Sequence, residues 1–107
     1  MDFNDRQKGF ENKFSHDQET LFKIEARASK LIGQWAAEKM GITGADAETY
    51  AKEVISANLD EPGYGDVKRK VESDFVARNV EFDSTEIDRI IDKSVADATA
   101  QIETEKR

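Results

Sequence analysis

The stretch GYGDVKRK, residues 63 to 70, sets Gly63 and Gly65 ahead of Lys68, Arg69 and Lys70. Glycines before a helix N-terminus, followed by cations, are the raw material of a phosphate cradle, because free backbone N–H groups and positive side chains both favour an anion. The stretch lacks the Walker pattern and a preceding strand. It therefore reads first as a turn leading into a charged helix face, and second as a weak anion or nucleotide site on Gly65, Lys68, Arg69 and Lys70. Other chemistry has fewer candidates still. His16 is the single histidine and there is no cysteine, which excludes a thiol nucleophile, a disulfide framework and a cysteine-type zinc site. Catalysis needs a nucleophile with its base, paired carboxylates in a pocket, or a metal set, and the abundant Asp and Glu residues fall at helical spacings that read as solvated faces. The expectation is a protein that is no enzyme and takes no cofactor. His16 reads as an exposed residue near a helix start, with a pH sensor as the sharper alternative.

Binding has a stronger signal. Phe3, Phe10 and Phe14 stand among charged and amide residues, ahead of the first strong helical pattern. Counting back from Trp35 in steps of four and three gives Leu31, Ala28, Ile24, Leu21, Asp17, Phe14, Phe10, Gln7 and Phe3. The three rings thus lie on the seam of the first helix, interrupted by two polar residues. A helix extended through them carries one apolar stripe, but Gly9 costs about 1 kcal/mol relative to alanine, and a Ser15 cap favours a later start. A partner groove could stabilise the extension, since burying each ring contributes about 1.5 to 3 kcal/mol before ordering costs of similar size. The segment has the form of a helix-in-groove ligand with Phe3, Phe10 and Phe14 as anchors and Asp5, Arg6, Lys8, Glu11 and Lys13 for rim contacts. Alternatively, Phe10 and Phe14 fold back over the end of the chain's own core.

The elements that would carry this segment are helical. Leu21, Ile24, Ala28, Leu31 and Trp35 predict a helix over about 16 to 40, with Ser15 and Gln18 as a capping box and Gly41 as a left-handed stop. Ala47, Tyr50, Ala51, Val54 and Ile55 predict a second helix over about 45 to 59, with Thr43 as its cap. A third opens at Asp66, buries Val67, Val71 and Phe75, and ends near Asn79; a fourth starts at the Asp83/Glu86 capping box, runs through Ile87, Ile91, Val95, Ala98 and Ile102, and frays into TEKR. No alternating strand pattern of useful length is present. The fold class expected is all-α: a four-helix bundle with a flexible or conditionally helical N-terminal segment, divided as residues 1–18 and 19–107. Trp35 is expected to anchor the core beside Tyr50, Phe75 and Ile91, with Ala36 and Ala37 admitting a close neighbour.

With 107 residues the chain amounts to about one domain. It is 37% hydrophobic and 36% charged, with a formal charge of -7, which argues against general binding to nucleic acid or to an anionic membrane surface. The start MDFNDRQKGF has neither an apolar core nor a basic leader, and no run has the length of a membrane span. These features predict a soluble intracellular protein with a protein partner.

Several runs resemble one family. They are Phe10-Glu11-Asn12-Lys13-Phe14, His16-Asp17, Leu21 with Phe22-Lys23, Ala26-Arg27, Lys30-Leu31, Trp35-Ala36-Ala37-Glu38 and Tyr50-Ala51-Lys52-Glu53-Val54. Together they make the chain similar to the zeta subunit family of bacterial F-type ATP synthases, over essentially its whole length. The resemblance implies a four-helix bundle whose mobile N-terminal segment inhibits ATP hydrolysis by entering the interface of the alpha and beta subunits with the gamma shaft. It implies a cytoplasmic protein, peripheral to the inner membrane through the synthase. The alternatives are a bundle that senses a nucleotide or other phosphorylated ligand, and an adaptor for another helical protein.

Overall fold

Asp17 is extended, with φ -69° and ψ 172°, and its side chain accepts a hydrogen bond from the Thr20 N–H at 2.8 Å. A short carboxylate there satisfies one orphan donor of the first turn and favours the positive end of the helix dipole. The cap is therefore Asp17 and not the expected Ser15. The computed structural model describes residues 17–58 and 63–105. Within them four helices follow in order: α1 (Gln18–Lys39), α2 (Gly44–Asn58), α3 (Gly65–Ala77) and α4 (Ser84–Glu105). There is no strand among the described residues, and the all-α four-helix architecture is as the sequence indicates. The expected N-terminal segment lies outside the described residues, except for its last two positions.

Both sharp stops use a left-handed residue after the cap. Gly41 has φ +77°, and the Ile42 N–H reaches back to the Ala37 carbonyl at 2.8 Å while the Gly41 N–H bonds to that of Glu38. Asn79, with φ +60°, ends α3 in the same way, the Val80 N–H bonding to the Phe75 carbonyl at 2.9 Å. These paired bonds satisfy carbonyls that a helix end leaves open and turn the chain back at once. At the start of α4, Asp83 accepts from the Thr85 N–H. Glu86, expected to complete that cap, instead pairs across the bundle with Lys39 at 3.4 Å.

The main core lies where all four helices meet. Ile32, Val54, Val67, Val71, Phe75 and Ile87 are fully buried there. Trp35, expected to anchor this core, sits at its edge only partly buried: its ring meets Phe75 edge-on at 5.7 Å, and Lys39 lies 5.8 Å from its centroid. A second, smaller cluster joins only α1 and α4, through Ile24, Ala28, Ala98 and Ile102. Tyr64 and Val95 pack against both clusters.

The buried face of α1 differs from the expected seam. Its centre runs Ile24, Ala28, Ile32, Ala36, flanked by Ser29, Gly33 and Ala37, while Leu31 and Trp35 form one margin and Leu21 is 48% exposed. Steps of four advance the face by about 40° each around a 3.6-residue helix, so it turns along the axis from α4 toward α2. Where it meets α2, Gly33 lies so close that a Cβ there would fall 2.8 Å from the Ala51 Cα.

Candidate functional site

The N-terminal end of α1 is the part of the bundle to which the aromatic segment is attached. Phe3, Asp5, Arg6, Phe10, Glu11, Lys13 and Phe14 themselves lie outside the described residues, as does His16. Just beyond them Leu21 and Phe22 stand out from the surface, 48% and 54% exposed. Adjacent helical residues point about 100° apart, and with Ile24 and Ala28 occupying the contact with α4, neither Leu21 nor Phe22 has a place in the core. That adjacency is a signal the sequence did carry: seam spacing accounts for Leu21 but gives its neighbour Phe22 no place on the same line. Seam counting uses Leu21 and passes over Phe22.

Phe22 borders a shallow groove of about 340 Å³ floored by Ala26, Ile55 and Ile102. Its rim is mainly basic. Lys23, Arg27 and Lys30 line it together with Glu105. Arg27 holds Glu105 at 2.8 Å and donates to the Gln101 Oε1 at 2.6 Å, tying the last turn of α4 to α1. The Arg27 hydrogen bond, more than offsetting partial desolvation, keeps the Glu105 carboxyl below the usual glutamate range. The helix accordingly continues through Thr104, where the sequence suggests that fraying begins, and ends at Glu105.

The glycine-rich stretch is organised differently. Gly65 begins α3, and the cations that follow separate to different acidic partners: Lys68 to Asp88 at 2.7 Å, Arg69 to Asp66, and Lys70 to Asp74 and Glu53 at 3.1 and 3.3 Å. The bond to Asp88 raises the pKa of Lys68. For Lys70, burial lowers the pKa, but hydrogen bonds to Asp74 and Glu53 outweigh it and the net shift is upward. The structure thus places Gly65, Lys68, Arg69 and Lys70 on one helix without turning the three side chains onto a common point.

A polar cleft of about 510 Å³ lies beside this network, with Tyr50, Glu53, Asp74 and Arg78 in its wall. The Tyr50 hydroxyl donates to Asp74 at 2.7 Å, and Lys70 sits 5.2 Å from the Tyr50 ring centroid. Burial, then the Asp74 bond, drives the Tyr50 pKa far above that of a free phenol. Tyr64 is pushed up to about 12 by burial and, secondarily, by Glu25. Both phenols stay protonated near neutrality. Among the described residues there is no group of three or more His, Cys, Asp or Glu able to hold a metal ion, and no helix long and apolar enough to cross a membrane.

Comparison with known proteins adds two findings. The family model described as ATPase inhibitor subunit zeta matches residues 1–101. A protein solved in solution by NMR is 39% identical, with a TM-score of 0.69 over 78% of this chain and 95% of its own. No curated protein matches the chain.

Proposed function

The chain belongs to the ATPase inhibitor subunit zeta family, and from that membership we propose that it inhibits an F-type ATP synthase by inserting residues 1–18 between the alpha and beta subunits and the gamma shaft. The observation that carries this reading is the position of the rings: the family match begins at residue 1 and so includes Phe3, Phe10 and Phe14. Family membership supports an inhibitor role at the synthase. The proposal adds where it binds and how.

The physical role is that of a wedge. Interfaces of a rotary enzyme open and close in sequence, and a wedge that binds one of those states more tightly than the next halts rotation in one sense only. No chemistry is required of it. Phe3, Phe10 and Phe14 supply the burial, each ring contributing about 1.5 to 3 kcal/mol before ordering costs are subtracted. The helices downstream serve as the carrier, and the synthase holds the complex at the cytoplasmic face of the inner membrane.

The test is hydrolysis and synthesis measured separately on the cognate ATPase. The native chain is expected to suppress hydrolysis far more than synthesis, and the triple variant Phe3→Ala, Phe10→Ala, Phe14→Ala to lose that suppression. Hydrolysis untouched by the native chain would rule the proposal out.

A further inference from the structure

We propose that the seam between α1 and α2 holds a buried water site, in which a single water molecule bridges the side chains of Ser29 and Asn58 and ties the end of α2 to the middle of α1.

Two orphaned atoms point to it. Among the described residues, Ser29 Oγ and Asn58 Oδ1 are buried without a hydrogen-bond partner, and the two residues are 0% and 6% exposed. Leaving a buried hydroxyl or amide unpaired is costly enough that nearly all such groups in folded proteins are paired, either within the protein or with ordered water. The neighbouring helix carbonyls do not relieve Ser29. Thr49, Thr99 and Thr104 each turn their hydroxyl back to the carbonyl four residues before, whereas Ser29 makes no such bond and its hydroxyl is left unused by α1.

Both residues lie on one line of contact. The two helices are joined between Lys39 and Gly44 and meet at Gly33 and Ala51, which makes them an antiparallel pair. A Cβ at Gly33 would fall 3.3 Å from the Val54 Cβ. In an antiparallel pair, one turn back on the first helix is matched by one turn forward on the second, and this takes Gly33 to Ser29 and Val54 to Asn58. The orphaned atoms therefore come from facing turns. Both side chains are short, and crossing helices draw apart on either side of a close contact, so a water spans them where a direct bond does not. Water donates and accepts, and either orientation of the Asn58 amide suits it.

Asn58 is the last residue of α2. The bridge thus fastens a helix end whose final turn has few other ways to hold to α1, and the fastening depends on a residue of the other helix. Opening of that turn is governed from Ser29.

The experiment is magnetic relaxation dispersion of the water oxygen nucleus, which counts long-lived internal waters, on the native chain and on Ser29→Ala with Asn58→Leu, circular dichroism checking that the helices persist. The amplitude is expected to fall by that of about one water. An unchanged amplitude would overturn the proposal, since the two groups are then satisfied in another way. Should the double variant fail to fold, Ser29→Ala alone gives the same comparison. Denaturant titration supplies a second readout: each single substitution is expected to lower the folding equilibrium constant about fivefold or more, and the pair by much less than the product of the two, because removing both groups leaves neither stranded. Costs that simply multiply would show that the side chains act apart, and the bridge would be lost. Finally, Ser29→Ala should quicken amide exchange in the last turn of α2 while the amides around Phe75 keep theirs; native exchange in that turn would exclude the tie between the helices.

Discussion

At one end of the bundle Phe75, Val54, Val67, Val71 and Ile87 lie fully buried where four helices converge; at the other, the buried residues Ile24, Ala28, Ala98 and Ile102 come from α1 and α4, with Tyr64 packed against them. The first end is closed by two left-handed stops and by the Lys39–Glu86 pair. The second is closed by Arg27 reaching Gln101 and Glu105 from the surface. Because burial, not surface pairing, supplies most of the stabilisation, the four-helix end is the anchor of the molecule. The two-helix end carries the exposed Leu21 and Phe22 and lies next to the aromatic segment. The proposed inhibitory segment thus joins the chain where the core is thinnest, and elements that engage partners are commonly drawn from such low-stability regions.

Mutations can break this contrast. The largest effect is expected at the four-helix end: Phe75→Ala removes the largest fully buried side chain and should lower unfolding stability by about 3 to 5 kcal/mol, measured by denaturant titration. Gly33→Ala comes next. Its Cβ would fall 2.8 Å from the Ala51 Cα, so α1 and α2 must separate, at a cost of about 1 to 3 kcal/mol that the gain in helix propensity of about 1 kcal/mol only partly offsets. A Gly33→Ala chain as stable as native would mean that the helices part without loss.

Ile102→Ala tests the thinner end. Its cost should be near the low limit for such truncations, about 2 kcal/mol. The informative signal is local: amide exchange should quicken in the last turns of α4 while the amides around Phe75 change little. Uniform acceleration across both ends would show that the two clusters unfold as one, with Tyr64 and Val95 as the coupling.

The smallest effect is electrostatic. Arg27 keeps the Glu105 pKa below its unfolded value, so this pair's contribution is complete above the usual glutamate range and is lost as pH falls through the lowered value. Amide protection near the end of α4 should accordingly decline on acidification, and Arg27→Gln should flatten that decline. An unchanged pH profile in the variant would show that the pair does not hold this turn.

Much of the architecture was legible because its signals are local. The four-residue spacing of Val67, Val71 and Phe75 identifies a helix and its buried face without reference to any neighbour, as does the pattern of Ile87, Ile91, Ala98 and Ile102. Gly41 and Asn79 mark stops because few residues tolerate positive φ. The family, too, could be read from short runs of residues. The exposed Phe22 and the close approach at Gly33 were not read, although one carries a local hint in its adjacency to Leu21.

What the sequence determined by itself is the set of amphipathic helices and their approximate bounds, since each depends on residues within a few turns of one another. What only the tertiary structure decided is which part of each stripe is covered. On α1 the buried line runs through Ile24, Ala28, Ile32 and Ala36, leaving Leu21 outside and Trp35 at the margin. The physical reason is that α1 packs against α4 along one stretch and α2 along another, and a face shared between two differently placed neighbours cannot be fixed by the periodicity of one helix.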